Sequence, residues 1–142
     1  MKKILFVCTG NTCRSPMAAA AYNHQNRSTH RRAYSAGLAA VKGAPISENA
    51  ILALESAGIP STPDNDYKGH AATPVTLDLL KEMDKIYAIS PSHAMALFSA
   101  APELAEKIEI LGDITDPYGG DLQEYSAALS AILAALEGKN AN

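Results

Sequence analysis

The stretch Lys3-Ile4-Leu5-Phe6-Val7-Cys8-Thr9-Gly10-Asn11-Thr12-Cys13-Arg14-Ser15-Pro16-Met17-Ala18 decides the fold. Residues 3–7 are an almost unbroken apolar run, the pattern of a central strand buried on both faces of a parallel sheet. A small polar loop follows, and its Gly10 and Asn11 both tolerate backbone angles closed to most residues. Ser15-Pro16 then reads as a helix opening, because Ser is a favoured N-cap and Pro a favoured first helical residue. The Ala-rich segment 17–26 is that helix.

A strand that turns through a tight loop straight into a helix lines up backbone N–H groups as a nest, and the helix N-terminus adds positive potential. The loop is an anion cradle. Arg14 adds a planar fork able to hold a tetrahedral oxyanion through two hydrogen bonds. N–H groups, helix dipole and Arg14 all favour the thiolate form of Cys8 over the thiol. A thiolate facing an anion-binding loop suits nucleophilic attack on an oxyanion such as phosphate or arsenate.

Working outward, strand-like and helix-like segments alternate, the signature of a parallel α/β sheet. Short strands are expected at 33–36, 85–89 and 107–111. Helices are expected at 47–57, 75–83, from Ser90-Pro91 to Phe98, and at 122–136, with Gly58 as a stop. Segments 66–72 and 112–120 read as loops. In such a sheet ligands bind at the carboxyl ends of strands, near the switch in strand order. Cys8 begins the loop after the first strand, and Asp113 and Asp116 lie in the loop after the last.

A departing oxyanion or basic amine needs a proton. Asp116, in Asp116-Pro117-Tyr118-Gly119-Gly120, suits an acid delivered over the substrate, and the same carboxylate can then serve as base on water. Bland readings stand beside these. A buried Cys is usually a small hydrophobe, Asp-Pro is usually a turn starter, and Asp113 reads as a turn or cap residue. Ser15 can be an N-cap alone or can also donate to the departing Cys8 thiolate.

The bulk properties set the frame. The 142 residues suit one domain spanning 1–142 with a sizeable core. Lys and Arg number 12 and Asp and Glu 15, a formal charge of −3, which argues against nucleic acid as the main partner. His30-Arg31-Arg32 reads as a solvated loop or helix end. No segment reads as a signal peptide or a membrane span, so no membrane partner is expected and the default location is the cytoplasm. Two cysteines there are suspects for chemistry rather than a disulfide framework. The four histidines, His24, His30, His70 and His93, show no ligand-like pairing, so no metal and no cofactor is expected.

The motif Cys8 to Arg14, Ser15, Pro16-Met17-Ala18, together with Asp116-Pro117-Tyr118 near the end, resembles the low-molecular-weight protein tyrosine phosphatases over the whole chain. The resemblance implies a three-layer fold with a four-stranded parallel sheet flanked by helices. It implies a phosphorylated protein as substrate and inorganic phosphate as product. It makes Cys8 the nucleophile, Arg14 the phosphate binder and Asp116 the acid. Thr9, Gly10, Asn11, Thr12, Cys13, Ser15 and Tyr118 are expected around the substrate, and Asn11, Ser35 and His70 as a hydrogen-bond network bracing the loop. Taken alone, a single loop histidine such as His70 is more often just a polar surface residue. The family commonly has a second cysteine where Cys13 stands, able to pair reversibly with the nucleophile. The alternative, a packed helix-start residue, has equal weight.

Two positions depart from the family's pattern. Ala19 stands where many relatives carry an acidic residue. Thr12 stands where tyrosine phosphatases usually have a branched aliphatic, and the loop is similar to that of bacterial protein arginine phosphatases. Tyr118 matches tyrosine phosphatases, whereas residues 38–41 lack an aromatic, so phosphotyrosine and phosphoarginine both stay open. Two rival functions are an arsenate reductase-like enzyme, which needs a resolving cysteine pair this chain lacks, and a catalytically silent phosphopeptide-binding module.

Overall fold

In the computed structural model of the protein, the residues described are 1–140. Four parallel strands, β1 (Lys2–Cys8), β2 (Arg31–Gly37), β3 (Lys85–Ala88) and β4 (Ile108–Ile110), form one sheet in the order β2-β1-β3-β4. The helices are α1 (Arg14–Gln25), α2 (Glu48–Ser56), α3 (Leu77–Glu82), α4 (Pro91–Ala100) and α5 (Leu122–Asn140).

The apolar run of β1 explains the three layers. Successive side chains of a strand point to opposite faces. Ile4, Phe6 and Cys8 therefore join the core beneath α1, α2 and α5, with Met17, Leu54 and Ile132. Leu5 and Val7 join the core beneath α3 and α4, with Leu80, Ala94 and Leu97. From Ile4 onward both faces are dry, so β1 carries no charged side chain after Lys2 and Lys3 at its start. The alanines of α1, with Ala18 and Ala21 fully buried, let that helix lie close against the sheet.

The strand order reverses at β1, whose neighbours β2 and β3 lie on opposite sides. The β1/β3 carboxyl ends therefore open the crevice where an α/β sheet binds its ligand. Cys8 stands at that end, paired in register with Gly37 of β2.

Several expectations are corrected. Arg31 and Arg32 are not in a solvated loop: they begin β2, in register with Lys2 and Lys3, and are half-buried. Ser15 is not the N-cap of α1. The helix already includes Arg14, Cys13 occupies the cap position, and no side chain caps it, because the Ser15 hydroxyl is engaged elsewhere. The third helix begins later than expected, since Thr76 caps it by accepting a hydrogen bond from Leu79 N–H at 3.1 Å. The segment 66–72 contains one 3-10 turn, Tyr67–Gly69. Gly58, at φ 79°, ends α2 in the left-handed conformation that glycine adopts without strain. Among the described residues, no helix is long and apolar enough to cross a membrane.

Candidate active site

Cys8 is nearly inaccessible at 3 % exposure, and its sulfur lies 2.9 Å from Ser15 Oγ. The direction of that bond follows from the third partner. Asn11 Nδ2 donates to Ser15 Oγ at 2.8 Å, so the Ser15 hydroxyl is left free to donate its own proton toward Cys8 Sγ. A weaker alternative acceptor, Ala36 O, lies at 3.5 Å. Asn11 and Ser15 are fully buried, where a wasted donor costs about 1–3 kcal/mol. The arrangement therefore holds a hydroxyl donor against the sulfur.

Asn11 is the only non-glycine residue at positive φ among the described residues, at 58°. Its strained backbone is held from three sides. Its Oδ1 accepts from Thr73 N–H at 2.8 Å, its Nδ2 holds Ser15, and its carbonyl accepts from His70 Nε2–H at 2.7 Å. Burial pushes the His70 pKa below its ordinary value, with a smaller opposing effect from Asn11, so the bracing imidazole is neutral at physiological pH. The expected network is thus present at Asn11 and His70 but not at Ser35. Ser35, on β2, pairs in register with Phe6 of β1, and no side-chain hydrogen bond links Ser35 to Asn11 or His70. The amide of Thr73 takes the place expected of it.

Gly37 shows how tightly this loop is pressed onto β2. A Cβ there would stand 2.5 Å from Thr9 O and 3.0 Å from the Cβ of Asn11. The close approach lets Leu38 N–H and Ala39 N–H bond the carbonyls of Cys8 and Thr9, each at 2.9 Å. Gly37→Ala must push the loop backbone away. The expected outcome is a loss of about 1–3 kcal/mol of stability in denaturant melts, with weakened phosphate binding even where the protein stays folded. A variant with unchanged midpoint and unchanged phosphate affinity would contradict this.

Arg14 enters from the first turn of α1 and is 7 % exposed. Its Nη1 donates to Ile114 O at 3.0 Å, and its Nη2 lies 3.6 Å from Asp116 Oδ2. Ser90 Oγ also donates to Ile114 O, at 3.3 Å, so one carbonyl ties the loop after β4 to both. Asp116 is half-exposed, and its Oδ1 accepts from Tyr118 N–H at 3.0 Å. Its two readings are therefore compatible: one oxygen starts the Asp-Pro turn and the other faces Arg14. An ion pair this exposed contributes little to stability. Asp113 is exposed and does not line the cavity.

The loop 8–14 floors a cavity of about 350 Å³, walled by Ala39, Val41 and Ala44 on one side and by Asp116 and Tyr118 on the other. Tyr118 is 75 % exposed and Val41 74 %, so both stand on the rim. Cys13 is buried, and its sulfur lies 3.1 Å from Ser47 Oγ and 3.3 Å from Tyr125 Oη. Both cysteines are free thiols. Thr12 lines the cavity, with its hydroxyl 3.7 Å from Cys13 Sγ.

Sequence reasoning missed Thr73, Ser47, Tyr125 and His93, whose Nε2 lies 3.0 Å from Thr9 Oγ1. Nothing marked them in advance, since each is an ordinary residue brought in from a distant element. The assembled site offers a sulfur nucleophile, a cationic fork and a carboxylate around a space that fits a tetrahedral oxyanion.

Residues 3–140 match the family described as low molecular weight phosphotyrosine protein phosphatase. A protein-arginine-phosphatase from Geobacillus stearothermophilus is 33 % identical over 89 % of this chain and 85 % of its own length. The low molecular weight protein-tyrosine-phosphatase Wzb of Salmonella typhi is 31 % identical over 92 % and 86 %. Among solved structures, the arginine phosphatase YwlE, with a mutant active-site serine that is phosphorylated, superposes with a TM-score of 0.83 at 28 % identity, covering 94 % of this chain and 90 % of that one.

Proposed function

Because this chain belongs to the low molecular weight phosphotyrosine protein phosphatase family and is a cysteine-based protein phosphatase, we propose that it works through a covalent phosphocysteine on Cys8, with Arg14 as phosphate binder and Asp116 as general acid and base. The observation that carries this reading is the Cys8 sulfur at 2.9 Å from the Ser15 hydroxyl, on the floor of a cavity that Arg14 and Asp116 also face.

In the first step the Cys8 thiolate attacks phosphorus. The S–P bond forms, the bond from phosphorus to the side-chain oxygen or nitrogen breaks, and Asp116 gives its proton to the leaving atom. The loop amides and the Arg14 fork hold the equatorial oxygens, where charge builds up. In the second step Asp116, now a carboxylate, takes a proton from water, which attacks phosphorus and breaks the S–P bond. Inorganic phosphate leaves, and the Ser15 hydroxyl steadies the returning thiolate. The relative with a phosphorylated active-site serine supports a covalent step at the nucleophile's position.

For the substrate, phosphoarginine is the reading we favour. The Thr12 hydroxyl on the cavity lining suits a planar guanidino group, and the wall at 39–44 carries only Ala39, Val41 and Ala44. Tyr118 on the rim is the observation that favours phosphotyrosine, since it can flank an aromatic ring. Both activities occur among the relatives' names. The test is the initial rate of phosphate release from matched phosphoarginine and phosphotyrosine peptides. We expect a preference for phosphoarginine of at least about tenfold, worth about 1.4 kcal/mol of transition-state binding, which Thr12→Ile shifts toward phosphotyrosine. A preference for phosphotyrosine unchanged by Thr12→Ile would overturn this choice. In this reading the whole chain acts as one phosphatase domain. It works in the reducing cytoplasm of a bacterium, where two buried thiols stay free.

A further inference from the structure

His93 is the third residue of α4 and is buried at 4 % exposure. Its Nε2 reaches Thr9 Oγ1 at 3.0 Å across 84 positions of sequence. Its other ring nitrogen, Nδ1, is buried without a partner, the one such side-chain atom among the described residues. A buried polar atom left unpaired is costly, so the ring is held there for what Nε2 does.

The ring is neutral. Burial lowers its pKa first, the nearby Arg14 charge lowers it further, and Asp116 opposes both. A neutral imidazole has one donor and one acceptor nitrogen. Nδ1 belongs to the first turn of α4, where the positive end of the helix favours a lone pair over a proton. The proton is therefore on Nε2, which donates to Thr9 Oγ1. Thr9 directly follows the nucleophile and lines the cavity, and its carbonyl is already engaged by Ala39 N–H. With its oxygen held by His93, the Thr9 hydroxyl keeps its own proton for an acceptor in the cavity.

The geometry points to His93 as a positioning residue, whose Nε2–H fixes the Thr9 side chain so that Thr9 donates to the bound oxyanion. This inference rests on the phosphatase reading of the loop. It gives α4, the helix after β3, a part in the phosphate site built on the loop after β1, across the switch point of the sheet.

The experiment reads phosphate affinity without turnover. Inorganic phosphate protects Cys8 from alkylation by iodoacetamide, with the modified residue located by peptide fragmentation, and the protecting concentration gives the affinity. His93→Ala and Thr9→Val should each weaken protection about five- to tenfold. The double variant should lose no more than either single, because both remove one interaction. His93→Gln, which can place an amide N–H near the position of Nε2, should recover most of the affinity. Thr9 is exposed, so Thr9→Val tests the claim even if His93→Ala unfolds. Wild-type affinity in Thr9→Val, or losses that multiply in the double variant, would overturn the inference. Failure of phosphate to protect the wild-type protein at any concentration would instead overturn the phosphatase reading itself.

Discussion

Cys8→Ser is expected to abolish turnover, lowering multiple-turnover phosphate release by at least about 10⁴-fold, in line with removal of other catalytic nucleophiles. The loss is chemical rather than structural. An alcohol is a weak nucleophile at neutral pH, and a phosphoserine, once formed, offers a far poorer leaving group to water than a phosphothiolate. Phosphate affinity should survive, because the cradle is mostly backbone N–H groups with Arg14 behind them. Equilibrium binding of phosphate and single-turnover rates check the two halves separately. Residual turnover within tenfold of wild type would remove Cys8 from the role of nucleophile. Loss of phosphate binding would mean that the sulfur, and not the loop, carries the anion.

The second large effect is expected at Asp116. Asp116→Asn preserves the shape and still accepts from Tyr118 N–H, so the turn is retained. It removes the transferable proton. General acid catalysis contributes typically 10²–10⁴-fold, and the contribution grows with the basicity of the leaving group. With a substrate whose leaving group is a good one, such as a nitrophenolate, the variant should lose little in the first step. With an alkyl phosphate or a phosphoramidate it should lose at least about 100-fold. Comparing kcat/KM across such a series checks this. Equal losses for good and poor leaving groups would assign the proton to another carboxylate. Asp113 is poorly placed for it, exposed and outside the cavity. Asn also removes a charge 3.6 Å from Arg14, so phosphate should bind the variant at least as well as the wild type.

The two residues that dominate these predictions were legible in the sequence for different reasons. Cys8 announced itself through purely local order. An apolar strand, a loop with Gly10 and Asn11, and a Pro-opened helix occupy consecutive positions, so the cradle is a property of one short segment. Asp116 was legible only through its Asp-Pro-Tyr context and its place after a strand, since alone it reads as a turn starter, a role it also fills. The helix opening shows where local reasoning fell short. Ser15 has the chemistry of an N-cap, yet α1 starts one residue earlier with no side chain capping it. The path of the loop itself gives that hydroxyl better partners in Asn11 Nδ2 and Cys8 Sγ, four and seven positions back. Ser35 failed for the complementary reason. Its place beside the loop follows from strand pairing, but which donor reaches Asn11 Oδ1 depends on how the chain near residue 73 runs past β2, and there a backbone amide arrives instead.

The alternation of strands and helices, the burial of β1 on both faces and the loop 8–14 with its cysteine and arginine can all be read locally, because periodicity and short-range chemistry act within a few residues. Which distant groups complete the site depends on how the folded chain brings its loops together. His70 on Asn11, Tyr125 and Ser47 on Cys13, Ile114 beneath Arg14 and His93 on Thr9 span 34 to 112 positions. Such contacts carry no local signal: they exist because parallel strands bring their carboxyl ends, and the loops that follow them, to one edge of the sheet.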